Sequence, residues 1–166
     1  MPAFSPRRDG EVLLVPDRMT GVDALVAVPI SHLVRDLNRA FSRSLQHRIA
    51  PYGVTIGQWY FLRALWEQDG LTQRELSQRV GTQEPTTVTA VNSMVTAGLV
   101  ERVRNVHDRR KMNIFLTEKG RGLRDVLLPC EAAVERQALL SVEPGEVRTV
   151  VAVVERMIDN LDMRLD

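Results

Sequence analysis

Between Leu71 and Leu116 the chain sets out two short helices, a tight turn between them, and two strands joined by a charged tip. Thr72 and Glu75 stand at the spacing of a capping box, with Leu71 and Leu76 at that of a hydrophobic staple, so one helix starts at Thr72. Gly81 is the residue type that ends a helix in the left-handed conformation, which places that end near Val80. A second helix is expected over about 82–97. Thr82 is its expected cap, Pro85 sits in its first turn, where a missing N–H costs little, and Gly98 closes it. The chain then alternates from Leu99 to Arg104 and resumes from Lys111 to Leu116, giving a hairpin over about 100–116 with Val103, Ile114 and Leu116 available to the core. Helix, turn, helix and hairpin in that order make a winged helix-turn-helix, mainly α with a small β-hairpin wing.

At about 100° per residue, the second helix carries Thr87, Val88, Val91, Met94 and Val95 on one side. Its other side carries Thr82, Pro85, Thr86, Thr89, Asn92, Ser93 and Thr96. A face that meets only water more often bears Lys and Glu. Short hydroxyl and amide groups instead let a backbone come close to another polymer, to donate to phosphates or read base edges in a major groove. The same small residues also suit packing against a further helix. The hairpin favours double-stranded DNA, because Arg102, Arg104, Arg109, Arg110 and Lys111 are set against only Glu101 and Asp108. That excess suits a phosphate backbone and an arginine in the adjacent minor groove. Asp108, two residues from Arg110, is placed to pair with its guanidinium and orient it.

A net charge of +1 over 166 residues conceals a segregation. Ten bases face six acids between Leu71 and Asp125, whereas eight acids face four bases from Glu131 onward. A basic centre with an acidic end attracts a polyanion to one surface and keeps it from another. The flanks are helical. Ile30, Leu33, Val34, Leu37, Phe41, Leu45 and Ile49 recur at three and four residues, marking a long amphipathic helix that ends near Pro51. Thr55 and Gln58 form a second capping-box pair, opening a helix through Trp59 and Trp66 to about Gly70. Beyond the wing, Thr117 caps a helix in which Pro129 is expected to cause a bend or local break. A last helix carries Val147, Val150, Val151, Val154, Met157, Ile158 and Leu161. These stripes exceed what one small winged helix can cover, so the first and the last two helices are expected to build a two-fold interface, packing within one chain being the alternative.

Thr72-Gln73-Arg74-Glu75-Leu76-Ser77, Pro85-Thr86-Thr87-Val88-Thr89, Ala97-Gly98-Leu99-Val100-Glu101-Arg102, Asp108-Arg109-Arg110 and Leu116-Thr117-Glu118-Lys119-Gly120, taken in order, resemble the MarR family of bacterial transcriptional regulators. The resemblance spans roughly residues 30–161. It implies a homodimer, a recognition helix in the major groove, an Asp-x-Arg wing matched by Asp108 and Arg110, and repression relieved by a small molecule. It departs at Thr89 and Ala90, where the family often has a basic residue and a leucine, so base preference does not carry over. The resemblance also implies a ligand site where the dimerisation and DNA-binding parts meet, taking aromatic or amphipathic acids or their thioesters. Arg39, Arg43 and His47 on the first helix and Trp59, Tyr60 and Arg63 on the second are the candidates, a structural role for each being the competing reading.

The expected organisation is a partly flexible N-terminal extension over 1–29, helical dimerisation regions over 30–53 and 117–166, and a DNA-binding region over 54–116. Arg7 and Arg8 suit a flexible arm that reaches DNA, with disorder or packing across the dimer the favoured alternative, and neither Val12–Val15 nor Ala24–Val28 reaches the length of a secretory core or membrane span, so the cytoplasm is the expected compartment. No catalytic, cofactor or metal motif stands out: His32, His47 and His107 are far apart in sequence, and Cys130 has no second cysteine. Two rival functions remain. One is a winged-helix module that binds protein or RNA. The other is thiol-based redox regulation through Cys130, against which apolar Leu127 and Leu128 favour an inert buried thiol.

Overall fold

The computed structural model describes residues 29–106, 108 and 110–163; the expectations placed on Arg7, Arg8, His107 and Arg109, and on the extension before Pro29, lie outside them. The chain divides after Leu37 into two compact units. The described part of the first is Pro29 and the opening turns of α1 (Ile30–Ile49), where Ile30, Leu33, Val34 and Leu37 are exposed. The second holds the rest of α1, a 3-10 turn (Ala50–Tyr52), α2 (Ile56–Glu67), β1 (Leu71–Thr72), α3 (Gln73–Val80) and α4 (Glu84–Thr96). It continues with β2 (Val100–Arg104), β3 (Met112–Leu116), α5 (Glu118–Gly122), α6 (Arg124–Ala138) and α7 (Pro144–Asp162).

Both capping boxes form. Gln58 N–H donates to Thr55 Oγ1 while Thr55 N–H donates to the Gln58 side chain. Gln46 of α1 ties the same turn down, accepting from Ile56 N–H at 2.6 Å and donating to Val54 O. At α3 the Thr72 hydroxyl and backbone N–H both donate to Glu75, and the hydroxyl is the main reason that carboxyl is held below the usual glutamate range. This cap is therefore intact at neutral pH and is lost only as pH falls through the lowered value. Gly81, at φ 71°, turns the chain, and Thr82 N–H closes α3 on Ser77 O.

That closure corrects the expected start of the second helix. With its N–H committed to α3 and its hydroxyl 2.9 Å from that of Thr87, Thr82 does not cap α4; Gln83 occupies the cap position, and Pro85 lies in the first turn as expected. The hairpin is also one strand larger than expected. Leu71 pairs with Ile114 and Thr72 with Asn113, making a three-stranded antiparallel sheet in the order β1-β3-β2. Val103 points away from the core and is 43% exposed. Val100 fixes the inward parity of β2, opposite Leu116, so Arg102 shares its face and Val103 takes the other.

The core gathers Trp59, Leu62, Leu65, Leu76, Val91, Met94, Ile114 and Leu127, all essentially inaccessible to solvent. Trp59 meets Trp66 edge to face with ring centres 5.5 Å apart, and Trp66 Nε1 donates to Gly120 O. The helix beyond the wing is interrupted at Leu123, between α5 and α6, and not at Pro129, through which α6 continues. Asp69 organises the neighbouring turn, accepting from Gly70 N–H, Leu116 N–H and the Arg121 guanidinium. Cys130 is half-buried rather than fully enclosed, its thiol donating to Val126 O and to Arg48 O. The last helix, α7, has no buried residue. Among the described residues no helix is long and apolar enough to cross a membrane.

Candidate nucleic-acid interface

The inner side of α4 is set by Thr87, Val91 and Met94, which are buried, while Val88 and Val95 of the expected apolar side are each 38% exposed. Opposite them Pro85, Thr86, Thr89, Asn92, Ser93 and Thr96 are exposed, and Thr82 is half-buried at the preceding turn. Several of these groups are already oriented. The Thr89 hydroxyl donates to Pro85 O, the Thr96 hydroxyl to Asn92 O, and Gln58 Nε2 to Ser93 Oγ. Arg102 Nη2 donates to Asn92 Oδ1 at 2.6 Å, joining the wing strand to the helix. Pro85, Thr86 and Thr89 thus form the outermost part of the face, and Asn92 and Ser93 are its held margin.

The wing tip is built by local hydrogen bonds. Asn105 N–H donates to Lys111 O, Lys111 N–H to Asp108 O, and Asp108 N–H to Asn105 Oδ1. Asn105 Nδ2 donates to Asn113 Oδ1, and Asn113 Nδ2 to Gly70 O, so the tip is anchored through β3 to the α2–β1 turn. Asp108 Oδ1 accepts from both the backbone N–H and Nε of Arg110, at 3.1 and 3.2 Å. The Arg110 side chain remains 92% exposed. Its backbone N–H first, and its guanidinium second, hold the Asp108 carboxyl below the usual aspartate range, so acidification weakens the clamp only below that range. Arg110 is oriented at one end and open to solvent at the other, as an arginine that enters a groove must be.

Between the first turns of α3, the start of α4 and the base of the wing lies an open cleft of about 610 Å³. Arg74, Glu75, Gln78, Glu84, Arg110 and Lys111 are among the residues lining it. The residues that sequence reasoning missed are Asn105, Asn113 and the Asn92–Arg102 pair. Asn105 carries a recognisable signal, since asparagine at a turn often bonds the backbone a few residues on.

The six candidates for a ligand site do not converge. A separate cavity of about 130 Å³ lies between α1, α2 and α6, lined by Phe41, Ser42, Leu45, Trp59, Tyr60, Glu131, Val134 and Glu135. Trp59 and Tyr60 are among its lining, and Trp59 is also core. Arg39, Arg43 and His47 are exposed and do not line it. Arg63 lies 3.4 Å from Glu131 and 3.4 Å from Glu67. The charged residues lining the cavity are instead carboxylates, Glu131 and Glu135 of α6. Burial outweighs the Arg63 charge and pushes the Glu131 carboxyl above the usual range.

Comparison with known proteins bears on this geometry. A sequence model described as MarR family matches residues 52–111. The HTH-type transcriptional regulator TtmR of Methylorubrum extorquens is 35% identical over 85 residues, a match covering 51% of this chain but only 44% of that protein. The HTH-type transcriptional repressor NicR of Pseudomonas putida is 26% identical over 135 residues, covering 81% of this chain and 85% of NicR. Among solved structures, a MarR transcriptional regulator from Methanosarcina mazei superposes with a TM-score of 0.74 at 29% identity, covering 82% of this chain and 98% of that one.

Proposed function

We propose that the chain is a winged-helix transcriptional regulator of the MarR family, to whose model and members it is similar, and that it is a homodimeric, ligand-responsive repressor that binds a near-palindromic DNA operator. One observation carries the DNA reading: an uncharged face of short side chains on α4 adjoins a wing whose Arg110 is clamped by Asp108 while remaining 92% exposed. In this reading Pro85, Thr86 and Thr89 meet base edges and thymine methyls. Thr82, Asn92 and Ser93 hold the margins of the contact, and Lys111 lies on phosphate. Arg110 enters the minor groove beside it. Arg109, outside the described residues, is assigned to phosphate on charge alone.

Repressor action follows the name of NicR, and a dimer follows from the need to cover α7. Two recognition helices related by a two-fold axis would meet successive major grooves about 34 Å apart. A small molecule bound between α1, α2 and α6 would act by favouring a dimer in which that spacing no longer fits. The compartment this function requires is the one that holds the DNA, the cytoplasm.

The test is binding to the DNA upstream of the protein's own coding region, across a salt series and beside a random duplex. Arg110→Ala is expected to cost about 1–3 kcal/mol of specific binding, roughly 5- to 150-fold. Lys111→Ala is expected to weaken both duplexes alike and to flatten the salt dependence. Equal binding of wild type and Arg110→Ala to an operator that wild type recognises would remove the wing from the contact, and with it the central argument.

A further inference from the structure

The cavity between α1, α2 and α6 has a definite chemical character. Its walls are aromatic and aliphatic, from Phe41, Leu45, Trp59, Tyr60 and Val134, and its acidic groups are Glu131 and Glu135, one turn apart on α6. At about 130 Å³ it is close to the roughly 150 Å³ of an apolar cavity that accepts benzene, so it has room for one ring and not for a large fused system. Arg63 is divided between Glu131 and Glu67, each at 3.4 Å, and Glu67 is further engaged by Arg79 at 3.1 Å.

We propose that this cavity takes a small monocyclic organic cation, its ring against Phe41, Trp59 and Tyr60 and its ammonium between Glu131 and Glu135. This deepens the ligand-responsive part of the function above, and replaces the acidic effector expected from the sequence with a basic one. Aromatic walls favour a cation over an anion through the ring quadrupole, and two carboxylates repel an acid of the same shape. The bound ammonium displaces Arg63 from Glu131. Arg63 is then free to pair wholly with Glu67 and to compete with Arg79 of α3, which gives a physical route from the cavity to the element that packs behind α4. The groups facing Glu131 are Arg63 and Glu67 from α2 and Glu135 from α6, while α1 contributes Phe41, Ser42 and Leu45 to the cavity and no titratable group.

Three molecules of one shape make the test: 2-phenylethylamine, phenylacetate and 2-phenylethanol. They are titrated into the full chain with the fluorescence of its two tryptophans as readout, since Trp59 lines the cavity. The amine is expected to bind at least about tenfold more tightly than phenylacetate, with the alcohol between them. Glu131→Gln is expected to weaken the amine about tenfold or more and leave the alcohol nearly unchanged, whereas Arg63→Met, by removing the competing cation, strengthens the amine. Acidification from neutral pH is expected to weaken the amine before an ordinary glutamate would titrate, because burial favours the uncharged Glu131 and an alkylammonium keeps its charge throughout.

Tighter binding of phenylacetate would overturn the cationic class while leaving an effector site in place. Amine binding that Glu131→Gln does not weaken would place the ligand elsewhere and overturn the proposal. Binding of none of the three would remove the cavity from the regulatory reading altogether. Operator binding by the same preparation without ligand decides separately whether the protein is a DNA-binding regulator.

Discussion

The paired substitution Val151→Glu and Ile158→Glu is expected to leave each chain folded, split the dimer into monomers, and reduce operator affinity by two to four orders of magnitude. The stripe on α7 is apolar at three- and four-residue spacing, yet Val150, Val151, Val154, Ile158 and Leu161 are 58%, 50%, 41%, 53% and 67% exposed in one chain. A contiguous apolar surface along a helix of this length is what a partner subunit covers. Because the two residues touch little within the chain, replacing them costs the monomer about 0.5 kcal/mol or less, the usual range for exposed positions. In a two-fold interface each substitution acts twice and brings carboxylates towards an already acidic helix. Loss of the dimer removes the effective concentration that links the second half-site to the first, which is worth roughly 10²- to 10⁴-fold. Light scattering gives the mass and circular dichroism the melting temperature. A variant that stays dimeric with normal operator binding would show that α7 is not the interface. A variant that unfolds at much lower temperature would show that α7 packs within the chain after all.

How much could be read beforehand depended on how far apart the cooperating residues lie. Caps, turns and the Asp108–Arg110 clamp were legible because each is completed within a few residues: Thr55 with Gln58, Thr72 with Glu75, Asp108 with Arg110. The same locality made the small-polar face of α4 readable. What was not legible needed a partner from far along the chain. The third strand exists because Leu71 finds Ile114, and nothing in the dipeptide Leu71-Thr72 announces a strand. Alternation alone also leaves open which parity faces inward, so the sequence offers Val103 to the core while the structure exposes it. The interruption in the region after the wing follows a similar rule. Pro129 removes one donor inside α6 without ending it, while the chain breaks at Leu123, just beyond the closely packed Gly120. The candidate ligand site changed most for the same reason. Charges on α1 and α2 are visible in sequence, but the charged lining of the cavity comes from Glu131 and Glu135 on α6.

Gly120→Ala is expected to be strongly destabilising where α5 packs on the chain leaving α4, and to damage DNA binding beyond its effect on stability. An added Cβ there would lie 2.1 Å from the carbonyl oxygen of Leu99, a backbone atom that cannot swing aside, and 3.2 Å from Leu116 Cδ2. That carbonyl also accepts from Thr117 N–H, so α5 begins directly on the chain leaving α4. The neighbouring residues complete the contact. The Thr117 hydroxyl donates to Gly98 O and Lys119 Nζ to Ala97 O, satisfying carbonyls at the C-terminal end of α4 that have no partner within it. On its other side Gly120 O accepts the indole N–H of Trp66. A methyl group therefore forces α5 away from either the end of α4 or α2. Overpacking of this kind costs about 3 kcal/mol, roughly 6–12 °C in melting temperature for a chain of this size. Gly122→Ala is the matched control. A Cβ there meets nothing within 4 Å, and alanine in a helix stabilises by about 0.5–1 kcal/mol over glycine. Thermal melts of the two variants should move in opposite directions, and Lys119→Met, which keeps the packing and removes the donor, should weaken operator binding with a smaller thermal cost. Equal melting of Gly120→Ala and wild type would mean that α5 can slide off α4 freely. The helix α4 would then owe its position to Thr87, Val91 and Met94 alone, without the clamp at its C-terminal end.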